Sequence, residues 1–278
     1  MIPKHGRLPG VAPVDEQNWI TTPDDLCDQL QHRDFLFERR PGEVLCLLRE
    51  GVRPALELLD MLVTHLASQD GWIIDMGVVQ RPDGQRVGIN RNDPMQTIGR
   101  LVSEDFCILA KPREKAEYVL IGAALCFPAG WRLLDKIGRP LTDIHNPVPY
   151  YNGDLARRVN RIFDGIKTGQ TLLRFNWSVP TNPELHAPPG AVTPHEQPVD
   201  ETTHYLRVER QTLRRLPNTD AVAFGIRTTV SPLRGLKPEE ARSLLDELNK
   251  QDAEMTEYKD GSVHAEQTRM FLKKISGT

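Results

Sequence analysis

Residues 203–230 read THYLRVERQTLRRLPNTDAVAFGIRTTV, and this stretch sets the class of the fold. Thr203 to Leu216 and Ala221 to Val230 are strand-like runs separated by the turn sequence Pro217-Asn218-Thr219-Asp220, so they pair as an antiparallel hairpin. Side chains alternate across a strand. Tyr205, Arg207, Glu209 and Gln211 therefore share one side, and Leu206, Val208 and Arg210 share the other. Charge at that density is costly facing inward and ordinary facing outward. The pattern alone favours solvent or an internal salt bridge. In the return strand Arg227 interrupts an apolar run and calls for an anionic partner or an opening.

Working outward, Leu172 to Val179 reads as another strand, and Phe106 to Ala110 and Tyr118 to Cys126 as two more. Trp72 to Gln80 turns at Pro82-Asp83-Gly84 and returns through Gln85 to Ile89. These lengths and hairpins fit an antiparallel sheet, not regular βαβ units. Helices are expected at 23–31, Pro54 to Ser68, Asp93 to Leu101, Asp154 to Lys167, from Pro238 onward, and Ser262 to Lys273. In the second of these, Leu56, Leu59, Val63 and Leu66 form the apolar stripe. The class is α+β. Residues 1–43, polar and proline-punctuated, read as an N-terminal arm, and 44–278 as one domain. Prolines 180, 183, 188, 189, 194 and 198 turn 180–200 into an irregular excursion.

Between strands and helices lies 123–151, AALCFPAGWRLLDKIGRPLTDIHNPVPYY. Its prolines remove backbone donors and restrict their neighbours, which makes it a braced loop rather than helix or sheet. It reads either as the aromatic wall of a ligand pocket around His145 or as a crossover whose aromatics cover core.

Composition excludes several classes. The net charge of −3 and the absence of a basic stripe argue against nucleic acid. Four scattered cysteines with no CxxC encode neither a zinc ribbon nor an iron–sulfur site, and Cys46, Cys107 and Cys126, in apolar runs, read as buried thiols in a reducing compartment. No apolar run approaches the roughly 18 residues of a membrane span, and no signal-peptide pattern opens the chain, so a cytoplasmic protein is expected. P-loop, GxGxxG, HExxH and GxSxG motifs are all missing.

Three segments together, LCFPAGWRLLDKIGRPLTDIHNPVPYY, RFNWSV and LRVERQTLRRLPNTDAVAFGIRTTVSPL, resemble the haem-dependent oxidative N-demethylases, a family that includes the α subunit of dimethylamine monooxygenase. The resemblance covers roughly residues 30–250. It implies a PAS-like antiparallel sheet with flanking helices around haem b. It also implies oxidative N-demethylation of a secondary or related methylated amine by dioxygen, with release of formaldehyde. Electrons would come from NAD(P)H through a separate flavin/iron–sulfur reductase component, since this chain has no flavin or cluster motif.

Under the resemblance His145, in DIHNPVP, is the iron ligand, and neutral imidazole suits iron on chemical grounds alone. Arg132, Arg139, Arg210 and Arg227 are candidates for the haem carboxylates. Phe127, Trp131 and Trp177 are candidates to pack the macrocycle, and Glu209, Tyr150 and Tyr151 to meet the substrate ammonium or order distal water. Besides a degenerate family member that keeps the fold as a protein-binding module, with 180–200 as a contact surface, two competing readings stand beside this one. The first is a haem-binding PAS-type sensor or carrier without catalysis. The second is a non-haem iron oxygenase using Asp143, His145 and His204, the first two co-facial if their segment is extended.

Overall fold

A computed structural model describes residues 10–114, 116–149, 151, 153–189, 203–259 and 262–278. The first elements are β1 (Ala12–Val14), α1 (Leu26–Arg39), α2 (Pro41–Val44), β2 (Leu45–Leu47), α3 (Val52–Leu66), β3 (Ile73–Asp75) and β4 (Val78–Gln80). There follow β5 (Arg86–Gly88), α4 (Pro94–Leu101), β6 (Asp105–Ala110), β7 (Val119–Ala124), α5 (Leu141–His145) and α6 (Gly153–Asp164). The chain closes with β8 (Thr171–Ser178), β9 (Tyr205–Arg215), β10 (Val222–Pro232), α7 (Pro238–Asn249), α8 (Ala253–Lys259) and α9 (Ser262–Ser276).

Seven strands make one sheet in the order β1-β8-β9-β10-β6-β7-β2, and each neighbouring pair is antiparallel. β3, β4 and β5 form a separate three-stranded sheet. Antiparallel sheet and helices together make the protein α+β, as expected. None of the described helices is long and apolar enough to cross a membrane.

Local chemistry accounts for most boundaries. Asp93 caps α4 by accepting from the Gln96 amide at 3.3 Å, with Pro94 in the opening turn. The run Trp72–Gln80, expected as one strand, divides into β3 and β4. The reason is a turn at Met76 and Gly77, whose φ angles are 42° and 79°. Helix α1 reaches Arg39, well past the expected end at residue 31, because Leu30, Leu36 and Phe37 continue its buried stripe. On α3 the stripe is rotated from the expected one: Leu58 and Leu62 are fully buried, whereas Leu56 and Val63 are half-buried. Helix α8, between α7 and α9, had no clear sequence signal.

The two sheet faces serve different purposes. On one, Phe106, Ile108 and Ala223 pack with Leu30, Leu58, Leu62 and Ile98 of α1, α3 and α4. Toward the far end of β8 and β9, Trp177 and Leu206 pack with Leu244 and Leu248 of α7 and Leu272 of α9. On the opposite face Cys107, Leu109, Leu213 and Val222 pack with Leu141 of α5 and Phe163 of α6. A cavity opens beside this second face, and Arg207, Glu209 and Gln211 line it. The charged side of β9 is thus turned inward rather than to solvent, and Arg207 Nε lies 3.8 Å from Glu209, the internal salt bridge that was the other expectation.

Candidate functional site

The loop after β7 is held by one buried carboxylate. Asp105 accepts the Cys126 amide at 2.6 Å and the Phe127 amide at 2.9 Å, and pairs with Arg33 at 2.5 Å with both side chains fully buried. Further along, the segment forms a single-turn helix at Leu133–Asp135 and the short α5, where only loop had been expected. Pro140 sits just before α5, where its fixed φ and missing donor cost nothing, and Pro147 and Pro149 follow its end. Glu117 secures the first turn by accepting from the Thr142 amide at 3.0 Å.

His145 is the last residue of α5 and lines the cavity. Its Nδ1 lies 2.8 Å from the Leu141 carbonyl oxygen, and because a carbonyl only accepts, Nδ1 carries the proton. The ring stacks on Tyr151 with centroids 4.5 Å apart and planes 17° apart. Burial first, then the nearby Lys136 and Arg174 cations, hold its pKa below the ordinary histidine value, while the Leu141 bond acts in the opposite sense. The result is a neutral, oriented imidazole whose Nε2 keeps its lone pair.

The sheet supplies the facing wall. In the β8–β9 register Arg174 lies opposite Gln211, Asn176 opposite Glu209, and Ser178 opposite Arg207. Glu209 accepts from Gln211 Nε2 at 2.8 Å and Asn176 Nδ2 at 3.3 Å, with Arg207 Nε 3.8 Å away. Arg207 donates to the carbonyls of Phe127 at 2.6 Å and Leu185 at 3.1 Å, which ties two loops to the sheet. The cavity between these parts measures about 1900 Å³, with Leu109, Leu120, Ile144, Val159 and Ile162 among its apolar lining. Cys107 also lines it, and burial pushes that thiol far up, so it stays protonated and offers no thiolate.

Of the residues singled out from sequence, His145, Phe127, Trp131, Tyr151 and Glu209 come together around this cavity. Burial pushes the Tyr151 hydroxyl up to about 12, and among the described residues its Oη has no hydrogen-bond partner. Tyr150 lies outside the described residues. Trp177 borders the cavity from β8, but it is 1% exposed and its ring belongs to the cluster with α7 and α9. Four arginines are elsewhere. Arg132 and Arg139 are exposed, the former donating to the Pro189 carbonyl. Strand alternation sends Arg210 and Arg227 to the opposite face. There Arg210 donates to the Trp19 carbonyl, and Arg227 pairs with Asp25 at 2.5 Å and Gln29 at 2.8 Å.

The non-haem set does not assemble. Asp143 and His145 are on a helix, where residues two apart point in different directions. His204 stacks on His264 beside Phe271, in the region packed by α9. Among the described residues no three His, Cys, Asp or Glu side chains are gathered as a metal would need.

Sequence reasoning missed Arg174, Arg207 and Gln211 as cavity residues. The signal was present: Arg174, Asn176 and Ser178 alternate along RFNWSV as Arg207, Glu209 and Gln211 do along β9, and two polar faces on adjacent strands mark one polar surface. What the pattern lacked was which way that surface points. With the site assembled, comparison with known families is informative: the family model described as haem-dependent oxidative N-demethylase, alpha subunit-like, matches residues 10–268.

Proposed function

This chain belongs to the haem-dependent oxidative N-demethylase alpha-subunit-like family, and from that premise we propose that it binds haem b through His145 and demethylates a methylated amine, releasing formaldehyde. The observation that carries the reading is a cavity of about 1900 Å³ beside a neutral imidazole whose other nitrogen is already committed to a carbonyl. That volume exceeds the roughly 300–1,000 Å³ of ordinary small-molecule pockets. The donor set fits as well, since imidazole is a common haem ligand and the neighbouring Cys107 is held as a thiol.

Bound haem would supply the iron at which reduced dioxygen chemistry takes place. The chain's own contribution begins with the Leu141 carbonyl, which fixes the tautomer of His145 and increases its basicity as a ligand. Tyr151 stacks on the ring and limits its rotation. Glu209 stands on the sheet wall as the carboxylate for a substrate ammonium, held in place by Gln211 and Asn176. Leu109, Leu120 and Ile144 keep the interior apolar, which excludes water and strengthens each polar contact made there. In this reading the seven-stranded sheet is a PAS-type body opened around a macrocycle. Electrons arrive from NAD(P)H through a separate reductase component, in keeping with an alpha-subunit-like chain.

The test is spectroscopic and then catalytic. Reconstitution with haem should give a Soret band and a pyridine haemochrome of the b type, and His145→Ala should abolish or strongly shift the former. With a flavin/iron–sulfur reductase and NAD(P)H, formaldehyde should form only when a methylated amine is present. A folded protein that acquires no Soret band ends the proposal. One that binds haem yet turns over no methylated amine is a sensor or carrier instead.

A further inference from the structure

Five arginines of the sheet each reach at least one protein acceptor, although Nε of Arg207, Arg214 and Arg227 goes without one among the described residues. Arg207 grips loop carbonyls, Arg210 the Trp19 carbonyl, Arg214 the Glu16 carboxylate, Arg215 Asp220, and Arg227 Asp25. Arg174 is different. It projects from β8 and lines the cavity, with its Nε closed off from solvent. No hydrogen bond or ion pair reaches its guanidinium among the described residues. Glu209 is the carboxylate that acts on it through space, but Gln211, Asn176 and Arg207 already engage that group. Burial holds its pKa below the usual arginine value, as expected of a cation without a contact counter-ion.

We infer that Arg174 is the carboxylate-binding residue of the cavity, waiting for an anionic group that the ligand brings; this rests on the haem reading above. The argument is one of charge and shape. A partly buried guanidinium with no partner destabilises the empty protein, and a ligand anion removes that cost on binding. Its planar fork of donors matches a carboxylate in two parallel hydrogen bonds. Two sources of carboxylate are compatible with the cavity: a propionate of the porphyrin, or the acid group of an N-methylated amino acid. In the second case Arg174 and Glu209 would hold the two ends of a zwitterion.

The experiment titrates wild type, Arg174→Gln and Arg174→Lys with haem and with haem dimethyl ester, followed at the Soret band. Melting curves of each apoprotein confirm folding. If Arg174 holds a propionate, wild type prefers haem over the ester by about tenfold or more. Arg174→Gln then brings that ratio close to one, and Arg174→Lys, keeping the charge without the fork, falls between. If it holds a substrate carboxylate, the porphyrin ratio does not depend on residue 174. Instead, the spectral response to N-methylglycine weakens about tenfold in Arg174→Gln while that to dimethylamine stays constant. Wild type and Arg174→Gln behaving alike toward both pairs of ligands overturns the assignment while leaving the haem reading intact. Absence of a Soret band in wild type overturns both.

Discussion

Beneath α1 and along the cavity wall, arginines meet opposite fates. Arg33 is enclosed between α1 and the start of β6, donating to the Gly99 carbonyl at 2.8 Å and to Asp105 at 2.5 Å. Arg227 finds Asp25 and Gln29 nearby. On the cavity side Arg174 has no such partner among the described residues, and Glu209 is braced by amides while facing space large enough for a ligand. Where charge is paired inside the protein, it holds the fold; where it is left open on a wall, it is available to a ligand. Residue type alone does not separate the two. The partner list does.

The largest effect should come from breaking the paired side. Asp105→Asn leaves Arg33 charged and enclosed, and also loosens the Cys126 and Phe127 amides. Unfolding in urea should show a loss of about 3–5 kcal/mol. An unchanged midpoint would mean that the ion pair contributes nothing.

Second in size is His145→Ala. Haem affinity should fall by more than about tenfold, since even outer-shell partners of metal ligands are worth 10–100-fold. The apoprotein should lose only about 1 kcal/mol, the value of one hydrogen bond. Equal losses in both measurements would move His145 to the fold-holding class.

A smaller effect is expected from His65, on the helix-packed side. Its ring lies 5.2 Å from that of Trp19, and burial, then Arg214, holds its pKa below the ordinary 6.5. With the folded pKa below the unfolded one, the unfolded chain binds more protons in the window just under 6.5. Stability should therefore decline as pH falls through that window and level off above it. His65→Gln should flatten the slope between about pH 5 and 7. An unaltered slope would assign the titration to other histidines.

The smallest effect is the most diagnostic. Arg174→Met removes an uncompensated cation, so the apoprotein should stay within about 1 kcal/mol of wild type, on the stabilising side. A loss as large as that of Asp105→Asn would show that the two sides do not differ after all.

How much of this was readable in advance follows from the same physics. The strands β8, β9 and β10 were legible because each is long enough for alternation to declare itself, and Pro217–Asp220 marks their turn. β1 and β2 were not, since three residues carry no period. Arg227 was read as needing an anionic partner or an opening, with the haem carboxylates as candidates; its partner Asp25, 202 positions away, was beyond any local pattern. His145 could be found from its setting among prolines. Arg174 could not, because a polar residue on a strand looks the same whether it meets water or a cavity. Direction relative to the sheet is a tertiary fact.

The hairpin tip adds a consequence for how the two faces are kept distinct. Glu57, on α3, receives the amides of Asn218 at 2.6 Å and Thr219 at 2.9 Å, and so clamps the turn between β9 and β10. A strand that slips by one position exchanges all its inward and outward side chains at once. A single-residue insertion in β9 would then drive Arg207 and Glu209 into the aliphatic layer and present Leu206 and Val208 to the chamber. The phase of one strand, locked by a glutamate from a different layer, decides which side of the sheet carries the cavity's charged groups.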